Sequence, residues 1–346
     1  MTMRPAVVGA TGYSGSELTQ ILLRHPKVAK PVLFRREKAS EGPADLADVF
    51  PQVSGNGPLP LEPFSISALR KKGINLLFLA TPHEFSRRLV PQLLQEDVRV
   101  VDLSGAWRLR EVDHRAVYGF EDADPASADH AMQGAVYGLP ELWCKEIAGA
   151  SLVANPGCYA TSVILALAPL VQAEIIDRDH GIIADSKSGV SGAGKEPTGR
   201  THFVSVADNL SAYSLFRHRH VGEMNEQLGL APNELTFTPH LLPIPRGILS
   251  TIYVTLVRPV ASSEIEACYR GFYASRRWVR IFAPPRLPEI QHSLHTNFCD
   301  IGFRLADDGR RLIVVSCLDN LLKGAAGQAV QNMNVMCGWN EAEGLQ

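Results

Sequence analysis

Short apolar runs punctuate the first third of the chain. They are Arg4-Pro5-Ala6-Val7-Val8, Lys30-Pro31-Val32-Leu33-Phe34, Asn75-Leu76-Leu77-Phe78-Leu79-Ala80 and Val98-Arg99-Val100-Val101-Asp102-Leu103. Each reads as a strand. Between the first two, Leu18, Ile21 and Leu22 recur on one face of a helical pattern that begins near Ser16. Strands alternating with helices predict a parallel, doubly wound sheet whose strand C-termini form a ligand crevice. An apolar, helix-permissive run then extends from Tyr159 to Val171.

Beyond it the pattern changes. Segments 181–185, 235–239, 250–257 and 311–316 alternate apolar and polar residues, which predicts strands of a sheet with one covered face. Longer connections separate them, as in a substrate domain grafted onto a nucleotide domain. The last apolar stretch, Ala325 to Met336, has a helical period and is expected to pack back on the first domain.

The first strand runs into Gly9-Ala10-Thr11-Gly12-Tyr13-Ser14-Gly15. Strand, glycine turn and helix form the setting of a dinucleotide-phosphate site: glycines let the backbone approach the pyrophosphate, and the helix start offers N–H donors. The spacing is G-x-x-G-x-x-G, a variant used by NADP-binding proteins. The second strand ends in Arg35-Arg36, where an acidic residue would favour NAD; two arginines suit a 2′-phosphate, so the cofactor expected is NADP(H). The tails of the third and fourth strands, Thr81-Pro82-His83 and Ser104-Gly105-Ala106-Trp107-Arg108, are expected to line the cofactor or substrate site. Arg108 is placed there for an anion.

A net charge of −2 leaves no basic surface for nucleic acid or an anionic membrane. No apolar run approaches a bilayer span. The chain leads from Met1 straight into its first strand, and its six cysteines include no C-x-x-C pair. The expectation is a soluble cytoplasmic protein with neither a zinc site nor a disulfide framework.

Cys158 follows a Pro-Gly turn in Ala154-Asn155-Pro156-Gly157-Cys158-Tyr159-Ala160-Thr161 and opens the apolar run. A cysteine at a helix start meets unpaired N–H groups and the positive end of the helix dipole, which favour the nucleophilic thiolate. The other reading is a buried structural thiol. His218-Arg219-His220 supplies two candidates for the acid/base partner that a thiol nucleophile needs. Gly189-Val190-Ser191-Gly192-Ala193-Gly194-Lys195 has phosphate-loop spacing, but Glu196 stands where a magnesium-binding hydroxyl belongs, so an ATPase is rejected.

With these residues assembled, the chain resembles the N-acetyl-γ-glutamyl-phosphate reductase family over nearly its whole length. The matches are the 9–15 glycine turn, Asp102-Leu103-Ser104, Tyr137-Gly138-Leu139-Pro140-Glu141, the 154–161 segment, Ser188 to Gly194, His218-Arg219-His220 and Asp319 to Gln328. Ser162, Gly105-Ala106-Trp107 and Gly222 depart from the family pattern. The resemblance implies an α/β fold: a Rossmann-type doubly wound NADP domain, residues 1–155 plus 318–346, and a mixed-sheet catalytic and oligomerisation domain, residues 156–317, like that of aspartate-semialdehyde dehydrogenase. It implies reduction of an acyl phosphate to an aldehyde through a thioester on Cys158, with His220 as acid/base and His218 in reserve.

The same resemblance assigns Gly9, Thr11, Gly12, Tyr13, Ser14, Gly15, Arg35, Arg36, Ser188, Gly189 and Asn320 to the cofactor. It assigns Arg108, Arg246, Asn155 and Glu223 to the small-molecule acyl-phosphate substrate, and it implies a homo-oligomer, a dimer or tetramer. Two alternatives stay open: the same chemistry on N-acetyl-α-aminoadipyl phosphate or aspartyl phosphate, and a non-catalytic NADP-binding regulator.

Overall fold

The glycine turn after the first strand sits where the strand order of a parallel sheet reverses. The computed structural model describes residues 3–35 and 43–345. The chain divides into two units, Met1–Pro156 with Ala325–Gln346, and Gly157–Gly324.

The first unit holds strands β1 (Pro5–Val8), β2 (Val32–Arg35), β3 (Leu61–Pro63), β4 (Leu76–Leu79), β5 (Arg99–Asp102), β6 (Ala135–Tyr137) and β7 (Leu152–Ala154). Their order is β3-β2-β1-β4-β5-β7-β6, and every pairing is parallel. β1 and β4 are buried along their whole length, which is why they read as unbroken apolar runs. The chain steps outward from β1 to β2 and β3, then returns past β1 to β4 and β5. That reversal opens the crevice where doubly wound sheets take their ligands.

Gly9 occupies the reversal point. Its φ is 91°, and a Cβ there would lie 2.2 Å from the Ala80 carbonyl oxygen just beyond β4. A Cβ on Gly15 would lie 2.2 Å from the Gly9 carbonyl oxygen, so the helix Tyr13–Arg24 presses directly on the turn. This helix starts at Tyr13, earlier than expected, because its first residues carry none of the periodic apolar side chains that betray a helix. The closing helix Gly327–Met336 is buried throughout and packs on Tyr13–Arg24, on Pro140–Ala148 and on β5.

The second unit holds β8 (Ile182–Gly189), β9 (Ser211–Ala212), β10 (Leu235–Leu242), β11 (Ile248–Thr255), β12 (Val279–Ile281), β13 (Cys299–Leu305) and β14 (Arg311–Leu318), in the order β12-β13-β14-β11-β8-β10-β9. β8 and β10 pair in parallel, as do β12 and β13; the other pairings are antiparallel. Burial alternates along β10 and β11, as for a sheet covered on one face. The cover is the helix Cys158–Gln172, which packs on β11, on β14 and on the helices His220–Leu228 and Ser262–Phe272. It is buried from Tyr159 to Leu170, so its apolar residues run all round it.

Ser162 has a reason to be polar inside this contact. Its hydroxyl bonds those of Ser250 and Ser316 at 2.9 and 3.0 Å, and Ser250 bonds Ser186 at 2.7 Å. All four are fully buried, one on the helix and one on each of three strands. The polar side chain of Ser162 is therefore matched by partners on the sheet, because a lone buried hydroxyl would be costly.

The chain re-enters the first unit later than residue 318. Residues 319–324 group with the second unit. There Asp319 is tied to Arg246 and to the backbone of His295. Such polar ties are invisible in a hydrophobic pattern.

Replacing Gly9 by alanine combines a disfavoured φ with a backbone overlap. We expect Gly9→Ala to lower stability by about 2 kcal/mol or more, read as a reduced denaturation midpoint in urea. An unchanged midpoint would show that the turn relaxes freely.

Candidate active site

Two side chains, those of His220 and Glu223, converge on Gly157, the residue before the candidate nucleophile. Gly157 is the N-cap of the helix Cys158–Gln172, and no side chain caps that helix. Its own N–H donates to Glu223 Oε2 at 2.9 Å. A Cβ on Gly157 would lie 2.3 Å from His220 Nε2, so the imidazole rests where any other residue would carry a side chain. Glu223 is fully buried, and its Oε1 lies 3.9 Å from His220 Nε2. Cys158 is half-buried at the first position of the helix. Gly324, the last residue of this unit, approaches it so closely that a Cβ there would lie 2.6 Å from Cys158 Cβ.

The two histidines differ in their surroundings. His220 begins the helix His220–Leu228, and its backbone N–H donates to His218 Nδ1 at 3.2 Å. The His218 ring meets Tyr159, Tyr213 and Phe237 edge-on, with centroids at 5.6, 5.6 and 5.3 Å. It meets His220 at 4.7 Å. Burial, with His220 and Arg219 adding repulsion, pulls His218 down to about 2. His218 is thus held neutral and accepts from the His220 backbone, while the His220 ring packs against Gly157, the residue before Cys158.

Tyr159 and Tyr213 were not anticipated from sequence. The Tyr159 hydroxyl donates to the His240 carbonyl oxygen at 2.7 Å. Burial, with Cys158 adding to it, holds both phenols above their usual range, Tyr213 at about 12. Both therefore remain protonated. Tyr159 neighbours Cys158 in sequence and was open to suspicion. Nothing in the pattern of residues 203–216 marks Tyr213.

Ser188, Gly189, Arg246 and Asn320 form a second group in the same unit. A Cβ on Gly189 would fall 2.6 Å from Arg246 N, so the strands β8 and β11 leave this end of the sheet in backbone contact. Asn320 Oδ1 accepts from Gly247 N at 2.6 Å, and its Nδ2 donates to Ser191 Oγ at 2.9 Å. Its carboxamide thus joins two loops. Arg246 is held by Asp319, with Nε 3.1 Å from Oδ2 and Nη2 3.1 Å from Oδ1. Asp319 is fully buried and also accepts from the N–H groups of His295, Leu321 and Leu322. The loop that imitated a phosphate loop is a short 3₁₀ turn, Val190–Ala193, with no long helix behind it.

In the first unit, Gly9, Thr11, Gly12, Tyr13, Ser14 and Gly15 form the turn and helix start at the strand-order reversal, and no side chain caps that helix. Arg35 ends β2; its Nε is buried with no hydrogen-bond partner among the described residues. Arg36 lies outside the described residues. Arg108 Nη2 donates to the Leu103 carbonyl oxygen at 2.7 Å. Its charge also stabilises the carboxylate of buried Asp102, whose pKa burial raises. Asn155 donates through Nδ2 to the Ala325 carbonyl oxygen and accepts from Asn332 Nδ2, at 3.1 and 3.0 Å. Its carboxamide is occupied within its own unit. Among the described residues no cluster of histidine, cysteine, aspartate or glutamate is arranged to hold a metal, and no helix is long and apolar enough to cross a membrane.

These two units define a class. Residues 4–150 match the family model described as semialdehyde dehydrogenase, NAD binding domain; residues 158–320 match semialdehyde dehydrogenase, dimerisation domain. The fold is similar to that of aspartate semialdehyde dehydrogenase II from Vibrio cholerae, with a TM-score of 0.74 over 98% of this chain and 99% of that one, at 17% identity. A probable aspartate-semialdehyde dehydrogenase from Pseudomonas aeruginosa gives 0.70 over 97% and 99%, at 20% identity. Much nearer in sequence are N-acetyl-gamma-glutamyl-phosphate reductases. That of Desulfotalea psychrophila is 44% identical over 99% of this chain and 97% of its own length. That of Campylobacter jejuni (strain 81116) is 42% identical over 100% and 98%. The chain belongs to the N-acetyl-γ-glutamyl-phosphate reductase family.

The depressed His218 carries a pH signature. Its folded-state value lies below the unfolded value of 6.5, so the unfolded chain binds the extra proton between about 2 and 6.5. Stability from this residue is intact above 6.5 and falls as pH drops, by at most about 1.4 kcal/mol per pH unit. A His218→Asn variant should show a shallower loss of stability between pH 6.5 and 4 in chemical denaturation. Equal slopes would mean that His218 is protonated in the folded protein.

Proposed function

We propose that this enzyme uses NADPH to reduce N-acetyl-γ-glutamyl phosphate to N-acetyl-L-glutamate 5-semialdehyde and phosphate, through a thioester on Cys158. The observation that carries this reading is the packing around Gly157, which brings an acid/base imidazole and a carboxylate to the start of the cysteine helix. The family membership supplies the substrate.

The thiolate of Cys158 attacks the γ-carbonyl carbon, the bond from that carbon to the phosphate oxygen breaks, and phosphate leaves a thioester. N–H groups at the start of the helix stabilise the oxyanion as it forms. When bound, the nicotinamide supplies the hydride that reduces the thioester carbon. His220 donates a proton to the oxygen of the resulting thiohemiacetal. It takes that proton back as the carbon–sulfur bond breaks, which releases the aldehyde and restores the thiolate. Glu223 acts on His220 and on the Gly157 backbone, a positioning role in place of the substrate contact expected from sequence. Arg246, oriented by Asp319, offers a guanidinium fork to the substrate's phosphate or carboxylate.

The residues of the first unit fit a dinucleotide. Side chains on Gly9 or Gly15 would overlap backbone, so the turn is as tight as a pyrophosphate cradle requires, and the uncapped helix at Tyr13 leaves N–H donors for phosphate. The buried Arg35 Nε, without a partner among the described residues, suits a 2′-phosphate and favours NADP over NAD. The dimerisation-domain match supports a homo-oligomer.

Phosphate-dependent oxidation of N-acetyl-glutamate semialdehyde, compared with its aminoadipate and aspartate counterparts, tests the substrate; a preference for either counterpart overturns it. Cys158→Ser should reduce turnover at least 1,000-fold while the protein still binds NADPH. Appreciable turnover by that variant would exclude covalent catalysis on sulfur. Arg35→Ala should raise KM for NADPH at least 10-fold and leave KM for NADH nearly unchanged. Equal losses for both would remove the 2′-phosphate assignment.

A further inference from the structure

Arg246 and Asp319 form a pair whose charges oppose each other. Asp319 is fully buried, and its carboxylate takes the Arg246 guanidinium through Nε and Nη2, each at 3.1 Å. The guanidinium therefore meets a substrate oxyanion with much of its charge already balanced, and a second donor beside it strengthens the grip. His295 stands at that place. Its backbone N–H donates to Asp319 Oδ2 at 2.8 Å, the same oxygen that Arg246 Nε approaches.

The chain on either side fixes this placement. A Cβ on Gly247 would lie 2.3 Å from Ile290 Cγ2 and 3.2 Å from Leu294 Cδ2, so the residues just before His295 pack on the residue just after Arg246. Ser293 Oγ donates to fully buried Asp300 at 2.8 Å, and Arg280 holds the same carboxylate. His295 has a φ of 60°, the left-handed conformation that glycine takes without steric cost and that histidine takes with strain. Residues held in such conformations by their surroundings gather at ligand clamps. His295 is exposed, and its ring makes no hydrogen bond, ion pair or ring contact among the described residues. The nucleophile is close by in the same unit. The Asp319 carbonyl oxygen accepts from the Gly324 N–H at 2.9 Å, and Gly324 lies against Cys158.

We infer that His295 is a further substrate-binding residue, whose imidazole donates an N–H to the substrate oxyanion that Arg246 holds, the phosphate or the α-carboxylate. The inference rests on the acyl-phosphate reading and on the part given there to Arg246. A turn that needed only the left-handed backbone and the N–H to Asp319 would be served better by glycine. The imidazole is what a histidine adds, and it is the group with no partner inside the chain.

His295→Gly separates the two roles, because glycine keeps the backbone conformation and the N–H and removes only the ring. In phosphate-dependent oxidation of N-acetyl-glutamate semialdehyde, the variant should show a KM raised at least 5-fold for inorganic phosphate or for the aldehyde. Its kcat should stay within about twofold and its urea midpoint should not fall. A raised phosphate KM assigns the imidazole to the phosphate, and a raised aldehyde KM assigns it to the carboxylate. His295→Asn, which tolerates the left-handed backbone and restores an N–H donor, should recover part of the loss. Both KM values unchanged in the glycine variant, whatever its stability, would overturn the inference. A wild type that fails to oxidise this aldehyde would sink the catalytic reading alone. Calorimetry with inorganic phosphate and with N-acetyl-L-glutamate then decides: weaker binding by the glycine variant sustains the role of His295, and equal or absent binding overturns it.

Discussion

The second unit's chemistry depends on Gly157 having no side chain. The His220 ring occupies the space a Cβ would need, at 2.3 Å, while Glu223 takes the Gly157 N–H. Any larger residue would push the imidazole away from the cysteine that follows. The same glycine caps the helix without a side chain of its own, so no serine or aspartate competes for the N–H groups that a developing oxyanion requires. One missing methyl group thus gives both room for the His220 ring and an open helix start.

Fixing that point in space requires rigid support. The helix behind Cys158 is buried on all sides, and the serine network of Ser162, Ser186, Ser250 and Ser316 adds directional bonds to a contact that is otherwise apolar. Apolar packing resists separation strongly and sliding weakly, because many registers bury similar area. Buried hydroxyls that must find one another penalise every register but one. Asp319 plays a comparable part for Arg246, gathering three backbone N–H groups and the guanidinium around one carboxylate.

Much of this was legible in the sequence where a physical rule links pattern to structure directly. Continuous apolar runs revealed β1, β2, β4 and β5, since strands covered on both faces have no polar side. The three-residue strands β3, β6 and β7 carry too few residues to show any period. The glycine turn was readable because its φ and close contacts exclude other residues. The surroundings of His218 and His220 were not, since Tyr213 and Phe237 reach the His218 ring from distant segments. Asn155 and Glu223 were linked to substrate through motif membership; that Asn155 bonds the Ala325 carbonyl and Glu223 the Gly157 N–H is information that only contacts reveal.

The polar groups around Cys158 follow a common electrostatic logic. His218 is held neutral, and Tyr159 and Tyr213 keep their protons. Each adds shape and hydrogen bonding without adding charge. A second cation beside His220 would make its protonation harder, and a phenolate would repel both the thiolate and an acyl phosphate. In the proposed mechanism, burial denies charge to these neighbours, so that proton transfer falls to His220 and anion recognition to arginines. Desolvation, ordinarily a cost of placing polar groups inside a protein, here separates the groups that react from those that hold them.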